Sequence, residues 1–247
     1  MNLLLLSNSS SDAGYLTHAL PWIEDWAAHH DRSGEALFVP FAGVTRTWDE
    51  YESLVAEALI PAGLRVRSVH RIADPVAAVR NARHVLVGGG NTFALLREMK
   101  RTGLLAAIRE RVQSGEASYM GWSAGSNVAC PTICTTNDMP IVDPNGLDAM
   151  GLVPFQINAH YTDAHPAGHR GETREQRLRE YVTMQPDMPL LGLPEGTGLR
   201  LSGASCHLLG EAGARYFRGA SAPQWLLSPA QRHPAGPFDG PSGWKRT

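Results

Sequence analysis

The chain has 247 residues, with 22 lysines and arginines against 24 aspartates and glutamates and a formal charge of −2. That length can bury one sizeable core, and a near-neutral balance without a basic run or basic-aromatic stripe excludes nucleic acid as the expected partner. Three cysteines (Cys130, Cys134 and Cys206) are too few for a disulfide framework and match no zinc spacing, so they read as buried thiols of a reducing compartment.

The first apolar run, Leu3–Leu6, has no basic segment before it. It is too short for a signal peptide core or a membrane span, and it reads as the buried first strand of a cytoplasmic protein without membrane attachment. Ala36–Phe41, Leu64–Val69, His84–Val87, Ala117–Met120 and Leu190–Leu193 are further strand candidates. Several are apolar throughout, the pattern of strands covered on both faces. Helix-length patterns lie between them near Tyr15–His29, Trp48–Leu59, Thr92–Arg101 and Leu104–Gln113. The last two stop at Gly103 and Gly115, where helices commonly end. This rhythm predicts an α/β fold, a mostly parallel sheet with helices on both faces.

Residues 130–171 interrupt the rhythm with Pro, Asn, Asp, Thr and Gly, and a loop that long in a compact domain points to function. Thr173 and Gln176 form a capping-box pattern that starts a helix with Arg174 at its first position. Gly198–Ser202, Cys206–Leu209 and Arg215–Phe217 read as short antiparallel strands near the C-terminus. The expected organisation is one domain over 1–218 and an irregular Pro/Gly-rich tail over 219–247.

Unusual residues sit at four strand ends: Pro40–Gly43, Gly88–Asn91, Gly121–Gly125 and Pro194–Gly196. In open α/β sheets ligands bind beyond the carboxyl ends of the strands, so these four should converge on one crevice. Gly121-Trp122-Ser123-Ala124-Gly125 follows a strand and opens a helix, which is the setting of a nucleophile elbow. The alternative is a serine capping an ordinary turn. Gly88–Gly90 lacks the Lys-Ser/Thr of a phosphate loop and better suits a second oxyanion donor, or simply a turn with positive φ. Of His160, His165 and His169 in the long loop, His160 is favoured as the base because it ends the strand-like run Phe155–Asn158. Their spacing suggests no metal site. For the acid that orients the base, Glu195 stands in the expected crevice, Asp138 is its rival and Asp143 a more distant one. Arg174 opposes the helix dipole, so it reads either as part of a carboxylate receptor or as an exposed partner of Glu172 or Glu175.

Leu3–Asn8, Val39–Thr45, Gly88–Thr92, Gly121–Gly125, Pro131-Thr132, Thr135–Pro144, Gly171–Gln176 and Gly192–Gly196 together resemble the peptidase E, or α-aspartyl dipeptidase, family of S51 serine peptidases. The resemblance covers residue 1 to about 210 and leaves out the tail. It implies a glutamine-amidotransferase-like α/β fold, a monomer or homodimer, and release of aspartate from small Asp-X peptides without cofactor or metal. Position by position, it implies Ser123 as nucleophile, His160 as base, and Glu195 or Asp138 as acid. It implies Gly90 and Ala124 as backbone oxyanion donors and Arg174 as the residue binding the substrate's carboxylate. Rival readings are a cyanophycinase-like enzyme, a small-molecule esterase, and a non-catalytic amino-acid or nucleotide binder.

Overall fold

The computed structural model describes residues 1–29, 34–165, 167–168 and 170–226. Strand β1 (Asn2–Leu6) leads to a small ribbon, β2 (Ser10–Ser11) and β3 (Gly14–Tyr15), and to helix α1 (Leu20–Ala27). The alternation continues through β4 (Glu35–Val39), α2 (Trp48–Leu59), β5 (Arg65–Ser68), α3 (Pro75–Asn81) and β6 (His84–Val87). Helices α4 (Thr92–Arg101) and α5 (Leu104–Gln113) precede β7 (Ser118–Trp122) and the short α6 (Ala124–Ala129). After the long loop come β8 (Gln156–Asn158), α7 (Arg174–Met184) and β9 (Leu190–Gly192). The described chain then runs through β10 (Gly198–Ser202), β11 (Ser205–Leu209), β12 (Ala214–Phe217) and β13 (Gln224–Leu226).

A seven-stranded sheet has the order β11-β10-β1-β7-β6-β4-β5. From β1 to β5 its strands are parallel, while β10 and β11 add an antiparallel edge. Alternate side chains of one strand serve two cores, which is why the runs are apolar throughout. Leu3, Leu5, Val85, Val87 and Tyr119 face α4, α5 and α6, whereas Leu4, Leu6, Phe38, Leu86 and Trp122 face α1 and α2. A second sheet, β13-β12-β9-β8, carries α7 over a smaller apolar cluster of Tyr161, Leu178, Val182, Leu190 and Phe217.

Local chemistry fixes the helix starts. Thr47 and Glu50 form a complete capping box for α2, Asn91 accepts from Ala94 N at the start of α4, and Thr173 and Gln176 close the box of α7. Gly103 and Gly115 take positive φ values of 74° and 80°, as their stop positions demand.

Four expectations change. Helix α3 was not anticipated, although Asp74 caps it and Pro75 opens it. The helix expected near Tyr15 starts only at Leu20, because the β3 ribbon and a 3₁₀ turn at Thr17–Ala19 use the earlier residues. The expected irregular tail contains β13, which pairs Trp225 with Arg215 on β12; residues beyond 226 lie outside the described part. Cys134 is exposed rather than buried, whereas burial pushes the Cys130 and Cys206 thiols up to about 12.

The tightest main-chain approach follows the nucleophile turn: a Cβ on Gly125 would lie 2.0 Å from the Val87 carbonyl oxygen. Gly125→Ala is therefore expected to cost about 3 kcal/mol or more, read from the urea midpoint at unchanged m-value. Gly115→Ala meets no atom within 4 Å and should cost only its left-handed backbone strain, about 1 kcal/mol.

Candidate active site

Ser123 lies between β7 and α6 with φ 51° and ψ −112°, a conformation that L-residues seldom adopt. Four contacts hold it there. Its N–H donates to Leu6 O at 3.1 Å, Ser126 Oγ lies 2.7 Å from Leu6 O and 3.0 Å from Gly121 O, and Tyr119 Oη donates to Gly125 O at 2.6 Å. Gly121 is needed as well, since a Cβ there would lie 2.5 Å from Gly125. The turn thus presents the Ser123 side chain at the carboxyl edge of the sheet, with the free N–H groups of α6 directly after it.

His160 follows β8, also at positive φ (53°). Its Nε2 is 2.9 Å from Ser123 Oγ and its Nδ1 is 2.7 Å from Glu195 Oε1. A carboxylate only accepts, so in the neutral ring Nδ1 carries the proton and Nε2 keeps a lone pair for the serine hydroxyl. The Glu195 side chain is 66% exposed. Water screens its charge, so its contribution is to orient the ring rather than to stabilise the fold.

The rival residues are engaged elsewhere. Asp138 Oδ2 accepts from Thr92 N at 2.7 Å, from Thr92 Oγ1 at 2.5 Å and from Thr136 Oγ1 at 3.1 Å, at the first turn of α4. The Thr92 amide and hydroxyl hold its Oδ2, while the imidazole meets Glu195. Asp143 accepts from Asn145 N within its own loop, and His165 Nε2 faces Gly171 O at 3.1 Å. His169 lies outside the described residues.

Gly88–Gly90 packs beside the elbow, and a Cβ on Gly89 would lie 3.1 Å from Ser123 Cβ. Gly90 has φ 132° and approaches Ala42 so closely that a Cβ would lie 2.2 Å from its carbonyl oxygen. The Gly88 and Asn91 amides donate to Val39 O and Ala42 O, whereas those of Gly90 and Ala124 have no protein acceptor among the described residues. The Gly89 amide is likewise without a protein acceptor among the described residues, and unpaired donors beside a serine suit an oxyanion.

Arg174 opens α7 as expected, but it pairs with neither neighbouring glutamate. Glu172 meets Arg177, while Glu175 meets Arg179 and Arg215. Its Nη1 is buried without a partner. Burial first, and then the charge of Arg177, hold its pKa below the usual guanidinium range. The guanidinium lines a cleft of about 170 Å³ with Thr135, Thr136, Asn137 and Asn158, two residues before His160. A partly desolvated cation that meets no carboxylate among the described residues, at a helix N-terminus, is chemically suited to an anion.

Sequence reasoning did not single out Ser7 and Asn8 individually. Ser7 Oγ donates to Leu193 O at 2.7 Å and accepts from His160 N at 2.9 Å, and Asn8 Oδ1 accepts from Gly196 N at 2.8 Å. The end of β1 therefore fastens the loops of both His160 and Glu195. The only signal was polarity appearing abruptly after four leucines.

A family model described as peptidase family S51 matches residues 3–209. Proteins named peptidase E from Salmonella newport and Salmonella gallinarum are similar to this chain. The first is 54% identical over 211 residues, covering 85% of this chain and 90% of the relative. The second is 55% identical over 203 residues, covering 82% and 85%. Two solved structures share the fold. One, described as a peptidase E protein from Listeria monocytogenes EGD-e, gives a TM-score of 0.64 at 24% identity and covers 85% of this chain and 98% of that one. The other, a peptidase from an acI-B1 Actinobacterium, gives 0.66 at 17% identity and covers 92% and 94%.

The first turn of α7 is braced by Glu175 and Arg215, with the Glu175 carboxyl held below its usual range chiefly by its hydrogen bond to Arg215. A depressed carboxyl stabilises the fold above its unfolded pKa and loses that contribution as pH falls through the folded value. Arg215→Ala should therefore lower stability by about 1 kcal/mol at neutral pH. The gap to wild type should close in acid, as measured by urea unfolding across that range.

Proposed function

This chain belongs to peptidase family S51, and from that premise we propose that it is a dipeptidase releasing N-terminal aspartate from Asp-X dipeptides. It is a serine-type peptidase. The observation that carries the finer reading is the Ser123–His160–Glu195 hydrogen-bonded chain beside the uncompensated guanidinium of Arg174. The first supplies acyl transfer and the second selects an acidic side chain.

In this mechanism Ser123 Oγ attacks the carbonyl carbon of the N-terminal aspartate as His160 Nε2 takes its proton. The tetrahedral oxyanion is held by the Gly90 and Ala124 amides, each worth about 3 kcal/mol in such sites. His160 then gives its proton to the departing amine, and water, deprotonated by the same nitrogen, hydrolyses the aspartyl ester on Ser123. Glu195 holds the imidazole tautomer and stabilises the imidazolium. Asp138, fixed by three donors through Oδ2, has no protein donor on Oδ1 among the described residues. It is proposed to hold the substrate's α-ammonium group, which restricts the enzyme to free N-termini. The proposal places the reaction in the cytoplasm and involves no cofactor or metal. No helix among the described residues is long and apolar enough to cross a membrane.

The test is kcat/KM on an Asp-X dipeptide and on its N-acylated form. Ser123→Ala should lose about 10⁴-fold or more, and Glu195→Gln about 10²- to 10⁴-fold in kcat. Asp138→Asn should lose chiefly the advantage of the free amine. Retained activity of Asp138→Asn on both forms would remove the ammonium role. Arg174→Met should abolish the preference for Asp-X over Asn-X. A preference for simple esters that Arg174→Met leaves undiminished would overturn the dipeptidase reading.

A further inference from the structure

The Gly89–Gly90 peptide is gripped from behind by a side chain on α2. Tyr51 Oη donates to Gly89 O at 3.0 Å, and the direction of that bond is set by its other partners. Trp122 Nε1, which can only donate, shares its proton between Tyr15 Oη at 3.0 Å and Tyr51 Oη at 3.1 Å, and Tyr15 Oη donates to Tyr51 Oη at 3.2 Å. With two donors arriving, the single proton of Tyr51 has the Gly89 carbonyl as its acceptor. The phenol is buried, and burial pushes its pKa well above the usual tyrosine value, so it remains a donor throughout the working pH range.

A trans peptide unit is planar, with its C=O and N–H pointing in opposite directions. Fixing Gly89 O therefore fixes the direction of the Gly90 N–H, an amide left unpaired between Gly88 N–H, bound to Val39 O, and Asn91 N–H, bound to Ala42 O. Glycine at both flanking positions would otherwise let this peptide rotate. We propose that Tyr51 is a positioning residue that aims the Gly90 amide at the oxyanion, with Trp122 and Tyr15 setting the direction of its proton. The proposal rests on the reading of Gly90 as an oxyanion donor to an acyl-transfer reaction on Ser123. Trp122, the variable residue of the elbow motif, is thereby tied to the second half of the oxyanion site.

The test uses Tyr51→Phe in the full chain, with two readouts. One is kcat and KM on an Asp-X dipeptide. The other is the rate of phosphonylation of Ser123 by a fluorophosphonate, which requires the oxyanion donors but no aspartyl group. The expected result is a fall of about 10- to 100-fold in kcat and in phosphonylation, with KM and the inhibition constant of free aspartate within about threefold. Gly88→Ala is a second variant that acts from the other side, since its Cβ would lie 2.6 Å from Tyr51 Oη and displace the phenol. It should reproduce the same kcat-specific loss. Equal losses in kcat, KM and aspartate binding, or an unchanged phosphonylation rate in a folded Tyr51→Phe, would overturn the proposal. A wild type that is phosphonylated on Ser123 yet does not turn over Asp-X overturns the dipeptidase reading instead and leaves the Tyr51 comparison intact.

Discussion

The Val87 carbonyl oxygen occupies the space in which any residue but glycine at 125 would carry its Cβ. Because that contact is permitted, α6 lies against β6 and its N-terminus is brought to the carboxyl edge of the sheet beside the Gly88–Gly90 turn. Gly121 allows the reverse fold of the same turn, and Gly90 the approach of the neighbouring loop to Ala42. Ser123 carries the resulting backbone strain, of order 1–3 kcal/mol for such a conformation. The surrounding hydrogen bonds to the Leu6 carbonyl and from Ser126 and Tyr119 over-determine it. Reactive geometry and close packing are here a single constraint: loosening the packing would free the serine to relax away from its base.

Charge is distributed along the crevice according to what each group has to do. Glu195 remains in contact with water, where a carboxylate can orient an imidazole without paying the desolvation cost of burial. Arg174 is the opposite case, half withdrawn from water with no anion to meet it, while the acids around it are committed to Arg177, Arg179 and Arg215. The arrangement leaves Arg174 Nη1 without a partner among the described residues, in a cleft lined by hydroxyls, amides, the Cys134 thiol, Leu178 and a second cation, Arg177, with no carboxylate. The proposed selectivity for an acidic side chain would rest on that imbalance more than on shape.

Elements set by local chemistry were legible in the sequence. Helices α2, α4 and α5 begin and end where Thr47, Asn91, Gly103 and Gly115 require, and the leucines of β1 announce a strand covered on both faces. Ser123 was legible because its motif is contiguous. The choice between Glu195 and Asp138 was not, since it depends on where the 135–144 loop lands, and that is decided by Thr92 on a distant helix. Ser7 and Asn8 were hidden for the same reason: a serine and an asparagine after a strand are unremarkable until the partners from residues 160 and 196 arrive. Strand β13 escaped notice because its support comes from Arg215 and Tyr161, not from its own Pro-rich neighbourhood.

The order in which the pieces occur along the chain has its own consequence. The serine and its elbow are complete by residue 129, but the strand that brings the acid forward, β9, and the antiparallel partner of β1, β10, come some sixty residues later. Ser7 and Asn8 cannot fasten the base and acid loops until Leu193 and Gly196 have been made. While residues 124–196 are being added, a growing polypeptide therefore carries Ser123 without the contacts that fix the His160 and Glu195 loops. The Ser123, His160 and Glu195 contacts can form only once β9 and β10 have joined β8 and β1, so the topology places assembly of the site late along the chain.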